Sequence, residues 1–264
     1  MSELKNIVMS GIRPTGYLHL GNYFGAMRNY VRMQEEYPCY FMVADLHSLT
    51  THPDTRTLKE SVHRVLAENI ACGLDPEKVA LYCQSHVPET SELYLYFNML
   101  AYKGELEKTT TFKDKVRLQP DNVNAGLLTY PVLQTADILL HRANLVPVGK
   151  DQEQHLEMAR NFAQRFNHRY GPVFPEPQAF NYGQELVKVP SLDGAGKMSK
   201  SENQNATLYL ADDDDLISSL RRLGIDSHRL LCLGFLLQFW QLCEAAHGQN
   251  RLCQEQLIHT ALFQ

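Results

Sequence analysis

Residues 39–44, with the sequence Cys-Tyr-Phe-Met-Val-Ala, form a continuous apolar run of the length of a β-strand. A strand that is apolar at every position is typical of a parallel sheet buried on both faces. Three shorter apolar runs are predicted strands as well, and they lie at residues 7–9, 79–83 and 145–148. The run at 39–44 therefore predicts a sheet whose parallel strands are widely separated in the sequence.

Helical periodicity fills the stretches between these strands. It begins near residue 21 and recurs in stretches that cover residues 57–72, 92–102, 126–141 and 152–166. Gly73 directly follows the helix at 57–72, at a position where glycine commonly ends a helix. Strands separated by helices predict an α/β fold with a doubly wound parallel sheet, and such sheets bind ligands at the carboxyl ends of their strands.

The composition narrows the class of protein. With 264 residues, of which 44% are hydrophobic and 21% charged, the chain can form one large α/β domain or two smaller ones. The formal net charge of -5 excludes a globally basic nucleic-acid-binding protein but not a local basic patch. No apolar run approaches the roughly 18–20 residues of a membrane span, and the first residues lack the apolar segment of a signal peptide. The six cysteines lack metal-binding spacing, so we expect no metal site and buried, reduced thiols in a cytoplasmic protein, with disulfides as the alternative.

The first motif that could carry chemistry is residues 14–22, Pro-Thr-Gly-Tyr-Leu-His-Leu-Gly-Asn, which follow the first strand and open a helix. Glycines allow the backbone to approach a ligand, and the free N–H groups of a helix N-terminus attract anions. His19 and Asn22 would present polar side chains at the same place. A purely structural turn is the alternative, because a glycine turn between a strand and a helix is common.

The second motif is residues 194–201, Gly-Ala-Gly-Lys-Met-Ser-Lys-Ser. Lys197 and Lys200 flank a serine on a glycine-led loop, so the loop carries movable positive charge that suits a polyphosphate. The alternative is an ordinary exposed basic loop.

Together, the early His-Leu-Gly-Asn and the late Lys-Met-Ser-Lys-Ser resemble the two signatures of class I aminoacyl-tRNA synthetases. Residues 125–140 resemble the amino-acid-recognition helix of the bacterial-type tryptophanyl-tRNA synthetase family. Residues 146–155, followed by Arg-Phe-Asn at 165–167, resemble its ribose-binding strand and next helix. The resemblance covers about residues 6–216. It implies a Rossmann-like catalytic domain at 1–190, the lysine loop and following segment at 191–216, and a short helical tail at 217–264 instead of the full anticodon-binding domain.

Tyr130, Gln134 and Asp137 are spaced so that they share one face of a helix. An indole has one donor, its N–H, on an otherwise apolar body, and a carboxylate aimed at that N–H rejects side chains that lack a donor. The family resemblance assigns this contact to Asp137, and a carboxylate on the helix surface is the alternative. The resemblance adds three further positions to the tryptophan pocket, namely Met9, His47 and Gln152, of which Met9 and His47 could equally be core residues.

The resemblance implies an in-line attack of the tryptophan carboxylate on the α-phosphate of ATP, with diphosphate as the leaving group. The tryptophanyl group of the resulting adenylate then passes to tRNA(Trp). Such chemistry requires positioning and charge neutralisation rather than a protein nucleophile, and Mg²⁺ accompanies ATP. The implied ATP-binding residues are Arg13, Pro14, Thr15, Gly21, Asn22, Gly149, Lys150, Asp151, Val189, Lys197, Met198, Ser199, Lys200 and Ser201. The implied catalytic residues are His19, Asn22, Lys197, Lys200 and Ser201. Lys113 and Lys115 match basic residues near the phosphates, with a solvated charged stretch as the alternative.

The sequence departs from the family pattern at three places. Arg13 stands where glutamine is common and Lys150 where an acidic residue is usual, and we expect ATP binding to survive both changes. Residues 230–264 contain only three charged side chains, and the segment after Leu216 does not align with the family's helical domain. Our hypothesis is that the tail is a frameshifted or truncated product, so that adenylate formation is retained and tRNA charging is weak.

The resemblance also implies a homodimer. Two other functions stay open from the sequence. One is a tyrosyl-tRNA synthetase, which uses a similar Tyr, Gln and Asp arrangement. The other is a paralogue that binds tryptophan and ATP without charging tRNA.

Overall fold

The computed structural model describes residues 6–149, 152–180, 182, 189, 191, 196, 198 and 207–210. The chain divides into two compact units. The first consists of Met1–Thr15, Met33–Val62 and Asp75–Gln184, and the second of Gly16–Arg32, His63–Leu74 and Glu185–Gln264. The predicted tail at 217–264 lies outside the described residues.

Within the first unit, the described residues form one five-stranded sheet, in which each of the four neighbouring pairs is parallel. The strands are β1 (Val8–Ile12), β2 (Cys39–Val43), β3 (Ala80–Cys83), β4 (Leu145–Val146) and β5 (Gln178–Ala179), in the order β3-β2-β1-β4-β5. The predicted doubly wound, Rossmann-like sheet is confirmed. Its strand order reverses between β1 and β4, which is where sheets of this kind bind ligands.

The helices follow the predicted periodicity with different ends. Helix α1 comprises Leu20–Asn22, a π-helical turn at Tyr23–Met27, and Arg28–Met33. The others are α2 (Asp45–Ser48), α3 (Thr55–Ala71), α4 (Pro88–Asn98), α5 (Lys103–Leu106), α6 (Thr110–Leu118), α7 (Ala125–Leu140) and α8 (Glu153–Tyr170).

The helix predicted at 92–102 was wrong in its bounds. Helix α4 begins at Pro88 and ends at Asn98, and the separate helix α5 begins at Lys103. Proline favours the first helical position, because it has no N–H to satisfy there and its φ is already helical. The predicted end of the helix at 57–72 is confirmed to within one residue, since α3 ends at Ala71 and Gly73, two residues later, has a φ of +109°.

The core of the first unit lies between the sheet and helices α4, α7 and α8. Its members include Phe97 of α4, Val132 and Ala136 of α7, and Phe162 of α8. Phe97 is fully buried, and its ring centroid lies 5.8 Å from that of Phe162 and 5.6 Å from that of Phe174. Aromatic pairs at such distances add to the stabilisation from buried area. These contacts hold α4 and α8 together.

The start of α7 is fixed by Asn124. Its Oδ1 accepts a hydrogen bond from the Leu127 backbone N–H at 2.9 Å, which is the usual bond of an N-terminal cap. Its amide nitrogen donates to the Thr50 carbonyl oxygen at 3.0 Å. Thr50 follows β2 and α2 in the chain. Asn124 therefore sets α7 against the segment that leaves the carboxyl end of β2.

Three of the six cysteines lie in the described part of the chain, and Cys39, Cys72 and Cys83 are all free thiols. Burial raises the pKa of the Cys39 thiol to about 12, so this thiol stays protonated at neutral pH. Among the described residues, none of the helices combines the length and the apolar character that crossing a membrane requires.

Truncation of Phe97 tests the role of this core. We expect Phe97→Ala to lower the free energy of unfolding by about 3–5 kcal/mol, because it removes a buried ring and leaves a cavity. The matched control is Leu118→Ala, since Leu118 is 84% exposed and its loss should change stability by less than about 0.5 kcal/mol. Urea unfolding followed by circular dichroism measures both, and equal losses in the two variants would contradict the assignment.

Candidate active site

A buried carboxylate lies at the carboxyl ends of β2 and β3. Asp137, on α7, accepts hydrogen bonds at both oxygens: from His47 Nε2 at 2.7 Å and from Gln84 Nε2 at 2.8 Å. His47 lies on α2, directly after β2, and Gln84 lies in the 3₁₀ turn directly after β3. Parallel strands end at the same edge of the sheet, so the fold itself brings the two donors together.

The environment of Asp137 excludes the helix-surface alternative, since its exposed fraction is 1%. A buried carboxylate is tolerated only where hydrogen-bond donors replace the water that it has lost. The His47 backbone N–H also donates to Gln84 Oε1 at 3.4 Å, which turns the amide nitrogen of Gln84 towards Asp137. His47 is therefore a buried polar residue with a defined partner, which is compatible with both predicted alternatives, a pocket residue and a core residue.

The aromatic rings of Tyr130 and His47 lie beside this carboxylate, and together they form what we call the aromatic wall. The Tyr130 ring lies 4.4 Å from the His47 ring between centroids, and the Lys115 ammonium lies 4.8 Å from the Tyr130 centroid. Burial raises the pKa of the Tyr130 hydroxyl, so the phenol is neutral at physiological pH. The predicted convergence of Tyr130 and Asp137 is thus present, with His47 between them.

Two buried polar side-chain atoms of this region have no hydrogen-bond partner among the described residues. They are His47 Nδ1 and Gln134 Oε1. Gln134 Oε1 is an amide oxygen and therefore an acceptor, whereas the role of His47 Nδ1 depends on where the ring carries its protons. A buried acceptor without a donor costs free energy, so this region suits a ligand that brings N–H donors.

Positive charge also lies near Tyr130. The pKa of Lys115 is lowered, first by burial and second by repulsion from Arg13, so the two cations are close enough to interact. Arg13 directly follows β1. Lys113, in contrast, is exposed on α6. Lys113 and Lys115, which were predicted to have the same role, therefore differ in exposure, and of the two only Lys115 contacts the Tyr130 ring.

The turn after β1 and the segment after β4 flank the point where the strand order reverses. The Thr15 backbone N–H donates to the Arg13 carbonyl at 2.9 Å and forms a tight turn around Pro14. After β4, the Gln152 backbone N–H donates to the Gly149 carbonyl at 2.9 Å. The first unit thus places three predicted ATP-binding residues after β1 and a fourth after β4. The Gln152 side chain contacts His155 Nδ1 at 3.0 Å.

In the second unit, His19 and Asn22 form a reciprocal cap at the start of α1. His19 Nδ1 accepts from the Asn22 backbone N–H at 3.2 Å, and Asn22 Oδ1 accepts from the His19 backbone N–H at 3.0 Å. The Leu20 N–H donates to the Leu208 carbonyl at 3.0 Å. The expectation of free N–H groups at this helix start is therefore wrong for Leu20 and Asn22, because both have acceptors.

Gly21 makes this cap possible. A Cβ at this position would lie 2.8 Å from the Nδ1 and Cε1 atoms of His19, a distance that real Cβ atoms do not show. The glycine therefore serves the packing of the His19 ring, which the sequence analysis did not anticipate.

The remaining predicted residues fall into two groups. Val189, Met198 and Met9 are buried, the Met198 N–H donates to the Val189 carbonyl at 2.7 Å, and Met9 belongs to the core of the first unit. The others lie outside the described residues, and they are Lys150, Asp151, Lys197, Ser199, Lys200 and Ser201.

Gln84 is the site residue that the sequence analysis missed. The signal that could have found it is its position, because Gln84 directly follows the predicted strand at 79–83. In the described part of the chain, no group of three or more His, Cys, Asp or Glu side chains could hold a metal ion.

A doubly wound parallel sheet with a buried carboxylate at its carboxyl edge, in a chain that carries His-Leu-Gly-Asn after the first strand, is typical of a class I aminoacyl-tRNA synthetase catalytic domain. The family model described as "tRNA synthetases class I (W and Y)" matches residues 1–229, and the chain belongs to this family. The match extends beyond residue 216, where the sequence resemblance ended.

Two curated relatives carry the name tryptophan–tRNA ligase. The protein from Porphyromonas gingivalis is 62% identical over 212 residues, which cover 80% of this chain and 64% of the relative. The protein from Clostridium tetani is 45% identical over 222 residues, which cover 83% and 65%. The crystal structure of tryptophanyl-tRNA synthetase from Campylobacter jejuni complexed with ADP and tryptophan matches with a TM-score of 0.74 and 37% identity, covering 84% of this chain and 68% of that chain. The chain thus spans about two thirds of the length of these relatives.

The cap at His19 can be tested with two glycines of one helix. Gly21→Ala forces the His19 ring away and breaks its bond to Asn22, whereas a Cβ at Gly25 would meet no atom within 4 Å. Alanine is the better helix former, so Gly25→Ala should be neutral or stabilising. We expect Gly21→Ala to be less stable than Gly25→Ala by about 1–2 kcal/mol in thermal unfolding. Equal stability of the two variants would show that the cap contributes nothing.

Proposed function

We propose that this protein activates L-tryptophan with ATP, forms tryptophanyl-adenylate and diphosphate, and transfers the tryptophanyl group to tRNA(Trp). The observation that carries the proposal is the buried Asp137 carboxylate, held at both oxygens beside the aromatic wall of Tyr130 and His47. The tryptophan–tRNA ligase names of the two curated relatives support it, as does the C. jejuni structure with ADP and tryptophan.

Tryptophan matches the chemistry of this pocket. The indole supplies an apolar ring for contact with Tyr130 and a single N–H for Asp137, whose oxygens each keep a second lone pair. The α-ammonium supplies further donors for the acceptor Gln134 Oε1, which has none from the described residues. Met9 and Gln152 complete the proposed pocket.

ATP is the proposed second substrate, with Mg²⁺ bound mainly by its phosphate oxygens and water. Arg13 and Lys115 supply positive charge near Tyr130, while Pro14, Thr15 and Gly149 lie where the strand order reverses. Lys197 and Lys200 are proposed to neutralise the departing diphosphate. The chain's own contribution is therefore orientation and charge neutralisation, which in-line phosphoryl chemistry requires.

Amino-acid-dependent exchange of diphosphate into ATP tests this proposal. We expect exchange with tryptophan and not with tyrosine, and Asp137→Asn should lower kcat/KM for tryptophan about ten- to hundredfold, since it removes a charged hydrogen-bond acceptor. The matched control is Asp121→Asn, because Asp121 is an exposed aspartate.

The cytoplasmic fraction of the source cells is the expected origin of the native enzyme.

Exchange with tyrosine alone would contradict the choice of substrate. Aminoacylation of tRNA(Trp) on the same preparation separates a full ligase from a paralogue that only activates tryptophan. Because residues 230–264 lie beyond the family match and carry three charged side chains, we propose that charging is slower than adenylation. Equal rates would refute that part of the proposal.

The proposed homodimer has a candidate surface on α4 and the residues after it. Four large apolar side chains are exposed there: Leu95, Tyr96, Met99 and Tyr102. A cluster of exposed apolar side chains of this kind is typical of a contact surface between proteins.

A charge placed in this surface should weaken the dimer. Met99 is 74% exposed, so Met99→Glu should leave the fold intact while it places an unpaired charge in the contact. We expect at least a tenfold larger dimer dissociation constant, which corresponds to about 1.4 kcal/mol, in sedimentation velocity. Val173→Glu, at another exposed apolar residue, is the control. A dimer that tolerates Met99→Glu as well as Val173→Glu does not use this surface.

A further inference from the structure

Three buried residues, His47, Gln84 and Asp137, form a closed ring of hydrogen bonds. His47 and Gln84 each donate to one oxygen of Asp137, and the His47 backbone N–H donates to the side chain of Gln84. The three residues come from α2, from the turn after β3 and from α7. Rotation of the carboxylate would break two hydrogen bonds at once, so the ring fixes both the position and the plane of the carboxylate.

Gln84 occupies a particular place in this ring. Its buried amide is already used at both ends, the oxygen by the His47 backbone N–H and the nitrogen by Asp137, so its route to a substrate is through Asp137. An amide presents a donor at one end and an acceptor at the other. Because the acceptor end receives the His47 backbone N–H, the donor end is the one that faces Asp137. Gln84 therefore gives the carboxylate a donor whose direction is set by the backbone.

The titratable neighbours of Asp137 do not supply this contact. Tyr82 and His141 interact with Asp137 electrostatically and hydrogen-bond to each other, with 2.6 Å between the Tyr82 hydroxyl and His141 Nε2. Burial raises the pKa of Tyr82 and lowers the pKa of His141, so both side chains are neutral at physiological pH. The Gln84 amide does not titrate, so its donor to Asp137 does not depend on pH.

We propose that Gln84 is a specificity-determining positioning residue, which holds Asp137 so that its remaining lone pairs face the ring N–H of the amino-acid substrate. This inference rests on the proposed function and adds to it a residue that determines selectivity without touching the substrate. A fixed acceptor favours a substrate that donates and disfavours an isostere that does not, because the isostere leaves the carboxylate underpaired.

The test is competition between tryptophan and benzothienylalanine, in which sulfur replaces the ring N–H. The ratio of the two kcat/KM values for adenylate formation, measured with both amino acids present, does not depend on the active fraction of the preparation. In Gln84→Met, we expect this ratio to fall about tenfold or more, the effect of one lost hydrogen bond to a charged group. The fall should lie in kcat/KM for tryptophan, with little change for the analogue.

Ser85→Ala, in the same turn, is the matched control and should keep the wild-type ratio, since the Ser85 side chain is exposed. In an Asp137→Asn background, Gln84→Met should no longer change the ratio, because Gln84 acts through that carboxylate. Gln84→Leu is measured in parallel, so that poor folding of one variant leaves the other to decide.

Two results overturn the inference: an unchanged ratio in the Gln84 variants, or equal losses for both amino acids, which a merely structural role predicts. A wild-type chain that fails to activate tryptophan, or does not prefer it over the analogue, contradicts the proposed function itself. That failure is visible before any variant is compared.

Discussion

The burial of the Asp137 carboxylate is the constraint on which the rest of the site depends. A buried, ionised carboxylate costs several kcal/mol unless donors replace its lost hydration. Those donors come from His47 and Gln84, so the carboxyl ends of the paired strands β2 and β3 must lie beside the Asp137 position of α7. Asn124, which caps α7 and binds the Thr50 carbonyl, holds that helix where the ring can close. The position of Asp137 thus depends on hydrogen bonds that come from three separate elements of the fold.

Local patterns predicted much of this arrangement. The apolar run at 39–44 and the shared helical face of Tyr130 and Asp137 depend on the periodicities of strands and helices, which are visible in any single segment. The strand β5 has two residues, Gln178–Ala179, both exposed, so it has no periodic pattern to detect. The position of Gln84 after a predicted strand could have marked it as a site residue, but its bond to Asp137 could not be predicted, because the partner lies 53 residues away and the pairing is decided by tertiary structure.

The motif at 14–22 shows a different limit of sequence reasoning. Its residue types predicted side chains directed at a ligand, but His19 and Asn22 use hydrogen-bonding atoms on each other. The glycine at position 21 gives the His19 ring the space to do so. A short polar motif that opens a helix can thus be required for the shape of the backbone as well as for chemistry. Sequence spacing alone does not separate these two requirements.

The distribution of charge in the first unit determines how the proposed substrate must lie. Acceptors are concentrated near Asp137, whereas the cations Arg13 and Lys115 lie near Tyr130, with the Lys115 ammonium over the ring. A zwitterionic amino acid whose indole N–H faces Asp137 is therefore oriented with its carboxylate towards these cations. Arg13 follows β1, beside the point where the strand order reverses and where nucleotides bind in such sheets. In the proposed function, this orientation directs the carboxylate of tryptophan towards the place where the α-phosphate is expected, which is the geometry that adenylation requires.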